Sequence, residues 1–457
     1  MTRLAHDIAT LAWAALGGDP RALASLDFAT EGGLASTFAV SDLASASIGV
    51  AALAVAECAA AGADRLPRVQ VDRRLASFWF GLSIRPLDFA LEAPWDPIAG
   101  DYPTRDGWIR LHTNAPHHRR AAERVLGAQA DRASMATAVA RWEKSALESA
   151  IVAENGCAAE MRSIAEWSDH VQGAAVAREP LVHAELTMAG ANTRPTVSPT
   201  RPLAGIRVLD LTRVLAGPVA SRFLAGFGAD VLRIDPPDWD EASIAPEVTL
   251  GKRCARLDLK TAGGRATFDA LLRDADVLLH GYRADALAQL GYDAAARQRL
   301  RPGLVDVCLD AYGWSGPWRN RRGFDSLVQM SSGIADAGMR WRNADKPVPL
   351  PVQALDHATG YFIAAAAARG LVAQRESGRG TRARLSLART AALLIRQGTG
   401  HESPPFEKES ERDRAPDIET TSWGRAQRVR TPASIDGAPM QWDRPACALG
   451  SAEPKWS

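Results

Sequence analysis

Apolar residues between positions 200 and 320 fall into short continuous runs that alternate with runs at helical spacing. The strand-like runs occupy 205–211, 230–235, 255–259, 276–281 and 303–310, and the helical runs lie near 216–227, 262–273 and 284–290. Strands that alternate with helices in this rhythm are typical of a parallel sheet covered by helices on both faces. The pattern therefore predicts an α/β fold with a doubly wound, Rossmann-like sheet.

Sheets of this kind bind ligands at the carboxyl ends of their strands, most often in the first strand-to-helix turn. Here that turn reads TRVLAGPVAS, and it lacks the G-x-G-x-x-G pattern of dinucleotide-binding turns. Binding of a nicotinamide or flavin dinucleotide is therefore disfavoured.

The remaining sequence differs in character on either side of this region. The first 200 residues are richer in helical spacing, with an Asp-Gly turn before a short alternating run in RDGWIRLHT, and a Pro/Ser/Thr cluster near 200 indicates a boundary. We predict five segments: an Asp-helix segment at 1–80, a smaller α+β domain at 81–175, a linker at 176–200, the α/β domain at 201–400, and a charged connector with a C-terminal tail at 401–457.

The first segment contains an echo of residues 350–395. VSDLASASIGVAALAVAE and ALDHATGYFIAAAAAR both place an Asp at the start of a helix of small residues, and a short alternating run follows each. Asp42 corresponds to Asp356, and Asp72 corresponds to Ser386, at the same offset of 314 residues. This register predicts a partial internal repeat, with chance similarity between alanine-rich helices as the alternative.

Composition narrows the possible functions. Hydrophobic residues make up 46% of the chain, and 54 Lys plus Arg nearly balance 53 Asp plus Glu, so no net charge favours nucleic acid or an acidic membrane. The five cysteines are scattered without C-x-x-C spacing, which predicts neither a zinc site nor disulfides and favours a cytoplasmic location. The apolar stretch at 43–63 contains Glu57 and is predicted to be a buried helix instead of a membrane span.

Asp356 stands between a Pro-containing run and the alanine-rich helix, in VPLPVQALDHATGYF. Asp in such a position is commonly a helix N-cap. A carboxylate beside the positive end of a helix dipole is also a plausible nucleophile, since it needs no general base once it is ionised. Spacing alone favours the cap.

Five ordered blocks carry a resemblance to a known family. PLAGIRVLDLTRVLAGPVASRFLAGFGADVLRIDPP, GKRCARLDLKTAGGR, ADVLLHGYRADALAQLGY, AYGWSGPWRNRRGFDSLVQMSSGI and LDHATGYF resemble successive blocks of the family III coenzyme A transferases, also called the CaiB/BaiF family. The resemblance covers residues 200 to 400. YPTRDGWIRLHT is similar to the family's small domain, which normally follows the Asp helix; its earlier position here suggests duplication with loss, or circular permutation.

The resemblance implies that Asp356 is the catalytic nucleophile, which forms an acyl-aspartyl anhydride and then an aspartyl-CoA thioester. It implies CoA or acyl-CoA as a substrate together with a small carboxylic acid, no permanently bound cofactor and no metal, and a homodimer without nucleic-acid or membrane partners. The residues that it implies around the coenzyme are Arg213, Val214, Leu215, Ala216, Lys252, Arg253, Arg283 and Gly360. Gly360 is expected to let the thioester approach the helix, and Asp42 is expected to be a structural or degenerate copy.

Two other functions remain open. Racemases on the same scaffold use a His in a G-H-D motif, but the matching stretch here is GFD, with Phe324 in place of that His. His357 is a possible substitute, although a solvated position in the first helical turn is the commoner outcome. A CoA-binding protein without turnover is the alternative from a different class. The sequence does not identify the acyl donor or the acceptor acid.

Overall fold

The fold is that of a computed structural model, which describes residues 3–60, 65–190, 198–281, 286–401 and 403–457. The α-helices are α1 Arg3–Ala15, α2 Val40–Ala59, α3 Arg73–Trp79, α4 Pro116–Leu126, α5 Arg132–Val139, α6 Lys144–Ala153, α7 Ile164–Asp169, α8 Val171–Arg178, α9 Ala216–Gly226, α10 Ala245–Val248, α11 Ala262–Arg273, α12 Ala286–Gln289, α13 Ala294–Leu300, α14 Asp325–Ser331, α15 Ile334–Arg342, α16 Ala354–Ser377 and α17 Leu387–Arg396.

The strands are β1 Leu26–Ala29, β2 Val69–Asp72, β3 Ile84–Pro86, β4 Gly100–Pro103, β5 Trp108–Leu111, β6 Ala158–Glu160, β7 His183–Ala189, β8 Arg207–Asp210, β9 Asp230–Asp235, β10 Lys252–Arg256, β11 Val277–His280, β12 Val305–Asp310, β13 Arg379–Ser386, β14 Glu419–Thr421, β15 Gly424–Arg428 and β16 Ala433–Ile435.

The central element is a seven-stranded sheet in the order β10-β9-β8-β11-β12-β13-β7, parallel throughout except for β7. Successive side chains point into different cores: Val208 packs with one apolar cluster, and its neighbour Leu209 packs with the cluster on the opposite face. Strands buried on both faces read as continuous apolar runs. The prediction of a doubly wound α/β fold is confirmed.

Two predicted segment boundaries differ from the structure. The segment predicted as a linker at 176–200 contains β7, which pairs antiparallel with β13 and forms the edge of the main sheet. The predicted connector at 401–457 contributes β15, which pairs with β3, and β16, which pairs with β2. Strand β7 is an edge strand with mostly exposed residues, and β16 is the edge of the sheet β1-β2-β16, whereas β15 is the middle strand of β14-β15-β3. The polar residues of β7 suit an edge strand, whose outer side meets water.

The echoed segments adopt the same architecture. Around α2, strands β1 and β2 are parallel, and β2 pairs antiparallel with β16. Around α16, strands β12 and β13 are parallel, and β13 pairs antiparallel with β7. Asp72 caps α3 by accepting a hydrogen bond from the Leu75 amide, and Ser386 caps α17 in the same way from the Arg389 amide. Corresponding residues thus occupy corresponding structural positions.

Helices α2 and α16 pack against each other in the centre of the molecule. Both are rich in alanine, and almost every residue of α2 is buried. Helix α2 is long and apolar enough by length and composition to cross a membrane, and 89% of its most apolar window is buried inside the protein. The prediction that this stretch is a buried helix is confirmed.

A smaller unit covers the carboxyl ends of the main-sheet strands. Strands β4, β5 and β6 form an antiparallel sheet, and helices α4 to α6 pack on it around Tyr102, Ile109 and Leu147. This arrangement agrees with the α+β character predicted for residues 81–175.

Candidate functional site

A cavity of about 1160 Å³ lies between the main sheet and the β4–β6 unit. Its floor is formed by the segments that follow β8, β9 and β10, together with the first turns of α14 and α16, and its roof by residues of the smaller unit. The volume is at the upper end of small-molecule and cofactor sites, so a large ligand fits. Residues that line it and enter the argument below are His112, Arg213, Val214, Leu215, Trp239, Glu241, Phe324, Asp325, Asp356 and His357.

Two carboxyl groups meet at one end of this cavity. Asp325, the first residue of α14, accepts a hydrogen bond of 2.9 Å from the backbone amide of Asp356 and another from the amide of Leu355. Asp325 therefore caps α16 from a different helix. Gln329 donates a further hydrogen bond to Asp325.

Asp356 is the third residue of α16, and Gln353 occupies the N-cap position. The interpretation of Asp356 as an N-cap is therefore wrong. Its side chain is buried, with 9% exposed, and within the described residues no cation or hydrogen-bond donor engages its carboxyl group. Burial, and then the neighbouring charge of Asp325, raises the pKa of Asp356 well above its ordinary value. Both causes favour protonation of this carboxyl group more than water does, contrary to the expectation of a carboxylate held ionised by helix amides.

Asp42 has the same position in α2 but a different environment. Arg73 binds both of its carboxylate oxygens, at 2.7 and 2.9 Å, and this pair is buried. The residue at the Arg73 position in the second copy is Leu387, which carries no charge. One copy therefore holds a neutralised carboxylate, and the other leaves its carboxyl group exposed to the cavity.

The turn after β8 forms another part of the cavity wall. Val214 has a left-handed φ of 65°, and its amide donates a 2.9 Å hydrogen bond to Glu241. Glu241 also accepts a hydrogen bond from the Trp239 indole, so it ties the turn to this ring. The Arg213 guanidinium lies 4.7 Å from the Trp239 ring centroid. Arg213, Val214 and Leu215 therefore line the cavity beside an aromatic face, and their contact with a coenzyme stays a prediction.

Lys252 and Arg253 lie away from the cavity wall. They are the first two residues of β10, so they sit at the amino end of a strand whose carboxyl end faces the cavity. Lys252 is buried, with its Nζ 3.1 Å from Asp210 Oδ2, and Arg253 binds the Asp230 carboxylate at 2.9 and 3.0 Å. Their predicted contact with coenzyme phosphates is wrong in this structure, because both charges are used inside the protein.

Ala216 and Gly360 form a contact between helices instead of a ligand surface. A Cβ atom on Gly360 would lie 2.4 Å from the Ala216 carbonyl oxygen, so glycine is required for α16 to approach α9. Neither residue lines the cavity, and the expectation that Gly360 admits a thioester is wrong. Arg283 lies outside the described residues.

Comparison with known proteins places this geometry in context. Residues 203–422 match the family model of CoA-transferase family III. This segment belongs to CoA-transferase family III. It is 34% identical over 205 residues to the acetyl-coenzyme A transferase nodX of Hypoxylon pulicicidum, an alignment that covers 44% of this chain and 34% of that protein.

Two further family members are similar. The succinate–glutarate CoA-transferase of Agrobacterium fabrum is 31% identical over 213 residues, covering 42% of this chain and 53% of that protein. A crystal structure of Rv3272 from M. tuberculosis is 30% identical with a TM-score of 0.41, covering 43% of this chain and 56% of that one. The chain thus spans from one third to about half of the length of the curated relatives named here.

Sequence reasoning missed three residues of this family III site. Asp325 was present in the GFD block, but its role as the cap of α16 depends on a contact across 31 residues. Trp239 and Glu241 follow β9, and only their position at a strand's carboxyl end could have indicated them.

Two histidines line the cavity near Phe324 and Asp356, and sequence carried an expectation only for His357. His357 is buried against Phe80, with ring centroids 5.1 Å apart, and burial lowers its pKa to about 3, so it is not a solvated first-turn residue. His112 comes from the smaller unit and stacks on Phe324 at 3.7 Å. Burial holds the pKa of His112 well below its ordinary value, so its ring is neutral.

Proposed function

We propose that this protein is a CoA-transferase that moves coenzyme A from an acyl-CoA to a carboxylic acid through a covalent intermediate on Asp356. The observation that carries the proposal is the contrast between the two copies. Arg73 neutralises Asp42, whereas Asp356 faces a cavity large enough for a coenzyme with no described cation beside it. Membership of residues 203–422 in CoA-transferase family III supports the reaction class.

In the proposed reaction, an Asp356 oxygen attacks the thioester carbonyl carbon, the C–S bond breaks, and CoA leaves as the thiolate. The resulting anhydride is attacked at the Asp356 carbonyl by the CoA thiolate, which releases the donor acid and forms an aspartyl-CoA thioester. The acceptor carboxylate attacks this thioester, the C–S bond breaks, and the CoA thiolate leaves behind a second anhydride. The thiolate then attacks the acceptor carbonyl of that anhydride, which forms the acceptor acyl-CoA and releases the Asp356 carboxylate. Each covalent step replaces one difficult displacement with easier ones.

The carboxyl pair controls when Asp356 can attack. Asp325 accepts three hydrogen bonds, and these favour its ionised form, so a proton shared by the pair resides mainly on Asp356. The proton must leave before Asp356 becomes a nucleophile. Asp325 also fixes the first turn of α16 through the amides of Leu355 and Asp356, which holds the attacking group in place.

The coenzyme is proposed to lie against the turn after β8. Arg213 offers a positive charge for phosphate oxygens, and the ring of Trp239 offers an apolar face for the adenine base. Glu241 positions both parts by its bonds to the Val214 amide and the Trp239 indole. The homodimer and the cytoplasmic location are carried forward as part of this proposal, and light scattering at micromolar concentration tests the dimer.

A second candidate is α-proton exchange on an acyl-CoA, in the manner of a racemase. The favouring observation is His112, a neutral imidazole that lines the cavity and stacks on Phe324, next to the carboxyl pair. A neutral imidazole can accept a proton, whereas phenylalanine cannot. Exchange of α-hydrogen for deuterium in D₂O that is lost in His112→Gln would support this candidate.

Covalent trapping tests the main proposal. The protein is incubated with a panel of acyl-CoA thioesters, treated with hydroxylamine, and digested for mass spectrometry. A hydroxamate at Asp356, in the wild type and in Asp42→Asn, is the expected result. Saturable CoA binding without any trapped adduct, or a hydroxamate at Asp42, would overturn the assignment.

A further inference from the structure

The C-terminal segment, residues 444–457, lies along β10, which is the outer strand of the main sheet. The Gly251 amide donates a 3.0 Å hydrogen bond to the Arg444 carbonyl, and the Ala452 amide donates one of 2.9 Å to the Cys254 carbonyl. One backbone bond just before β10 and one at its middle residue thus hold this segment, which we call the tail strap, against an edge that would otherwise be unpaired.

Two cysteines face each other where the tail strap crosses β10. The thiols of Cys254 and Cys447 are hydrogen-bonded to each other, although the residues are 193 positions apart. Cys447 is anchored by a 3.1 Å hydrogen bond from its amide to Thr249 Oγ1, and its Sγ lies 3.5 Å from the Lys252 carbonyl oxygen. Cys447 is therefore held beside β10 by bonds at Thr249 and Lys252, two residues before Cys254 in the strand.

The two thiols differ in exposure. Cys254 is fully buried, whereas Cys447 is half-buried and thus accessible to small solutes. The hydrogen bond from the Cys254 thiol is the main cause that lowers the pKa of Cys447 to about 6, with help from Ser451 and the Lys252 charge. In the structure the Cys447 thiol donates to the Lys252 carbonyl, and its lowered pKa means that it gives up this proton readily near neutral pH. The resulting thiolate is the form that reacts with peroxides.

The other cysteines offer a contrast. Cys58, Cys157 and Cys308 are buried, and burial raises the pKa of each thiol. Buried thiols of raised pKa are chemically inert. Among the described cysteines, Cys447 is the one with a lowered pKa, and Cys254 is the thiol beside it.

We propose that Cys447 and Cys254 form an oxidation site at which a hydroperoxide converts the two thiols into a disulfide that fastens the tail strap to β10. The Cys447 thiolate attacks the distal oxygen of the hydroperoxide, the O–O bond breaks, and the alkoxide or hydroxide leaves with a proton from solvent. Cys254 loses its proton and attacks the Cys447 sulfenic sulfur, which expels water. Two thiols lose two electrons in total, and the peroxide gains them.

In the structure all five cysteines are free thiols, and the disulfide is proposed for the oxidised protein. It is independent of the proposed transferase activity, because neither sulfur lies on the cavity. The disulfide is reversible, since a small dithiol can attack the half-buried Cys447 sulfur and reduce the bond again.

Peptide mapping of the full-length protein tests it. The protein is treated with one to a few equivalents of hydrogen peroxide, free thiols are alkylated, and trypsin is added. The expected product joins peptide 254–256 to peptide 431–455 and disappears when dithiothreitol is added before alkylation. Cys254→Ser should instead leave Cys447 as a sulfenic acid that dimedone labels, and Cys447→Ser should abolish both products, while the control Cys58→Ser should behave as the wild type.

Several outcomes would overturn the proposal. One is oxidation of another cysteine before Cys447. A second is labelling of Cys447 by dimedone in the wild type with no disulfide formed. A third is no reaction at Cys254 or Cys447 while free glutathione in the same solution is oxidised. The peptide map of the oxidised wild type tests for the disulfide even if a serine variant fails to fold.

Discussion

Replacing Gly360 by alanine tests the packing that positions Asp356. A Cβ atom at residue 360 would lie 2.4 Å from the Ala216 carbonyl oxygen, which is 0.6 Å closer than the 3.0 Å limit of real Cβ contacts, and 3.0 Å from the Val219 Cβ. The nearest atom belongs to the backbone of α9, so it cannot rotate away, and α16 must shift as a whole. Since Asp356 lies one turn before Gly360, the shift moves its carboxyl group relative to the turn after β8.

The expected change in the free energy of unfolding follows from two opposing effects. Overpacking of a well-packed core costs roughly 1–3 kcal/mol, and more when backbone must move. Alanine in place of glycine inside a helix returns about 1 kcal/mol through helix propensity. Because backbone must move, we expect the upper part of the resulting range, so Gly360→Ala should lower the free energy of unfolding by about 1–2 kcal/mol. A Cβ atom added at Gly263 in α11 would have nothing within 4 Å, so Gly263→Ala should raise stability by about 0.5–1 kcal/mol.

The assay is urea unfolding followed by circular dichroism, with the CoA-transfer rate measured on the folded variants. The expected order of unfolding midpoints is Gly263→Ala above wild type and Gly360→Ala below it, with transfer reduced only in Gly360→Ala. If Gly360→Ala matched Gly263→Ala in stability, α9 and α16 would not be in the close contact described, and the positioning argument would fail.

Three further predictions follow from the site. Arg73→Leu leaves the buried Asp42 carboxylate unpaired, so unfolding should become easier by about 3–5 kcal/mol, and adding Asp42→Asn should restore part of that loss in a denaturation series. Trp239→Ala should raise the Kd for CoA by about tenfold in titration calorimetry, from the loss of about 1–3 kcal/mol of stacking, whereas unchanged affinity would remove Trp239 from the coenzyme site. Because the pKa of Asp356 is raised and its ionised form reacts, the transfer rate of the wild type should increase with pH through that raised pKa. Asp325→Asn removes the like charge, so its pH–rate profile should move to lower pH. A shift of the profile to higher pH would contradict the coupling of Asp325 to Asp356.

The sequence predicts the main sheet well because its strands are buried on both faces. A continuous apolar run predicted β9 with the same bounds, 230–235, that the structure has. Helical spacing predicted α11 with its observed bounds, 262–273. Strand β10 begins at Lys252, three residues earlier than expected, because buried ion pairs satisfy residues that look solvent-exposed in the sequence. Edge strands such as β7 and β16 were missed for a related reason, since their polar composition resembles a loop.

Sequence could predict a site residue only where its role depends on neighbours within the same chain segment. The position of Asp356 at the start of α16 and the turn after β8 could be read locally. The cap on α16, however, comes from Asp325, and the neutralisation of Asp42 comes from Arg73, so the state of each carboxyl group depends on contacts 31 residues away in sequence. Local spacing assigned the capping role to Asp356 because it could not show that another carboxylate already filled it.

The role of Asp356 is tested most directly by comparing the CoA-transfer rates of Asp356→Asn and Asp42→Asn on a donor and acceptor pair that the wild type uses. The two substitutions are matched, since each replaces the third residue of an alanine-rich helix by its amide. An amide oxygen is a far poorer nucleophile than a carboxylate, so Asp356→Asn should lose at least about a thousandfold in rate while still binding CoA, and Asp42→Asn should retain transfer wherever it is folded. A rate for Asp356→Asn within a few-fold of the wild type, or loss of transfer in folded Asp42→Asn alone, would contradict the account.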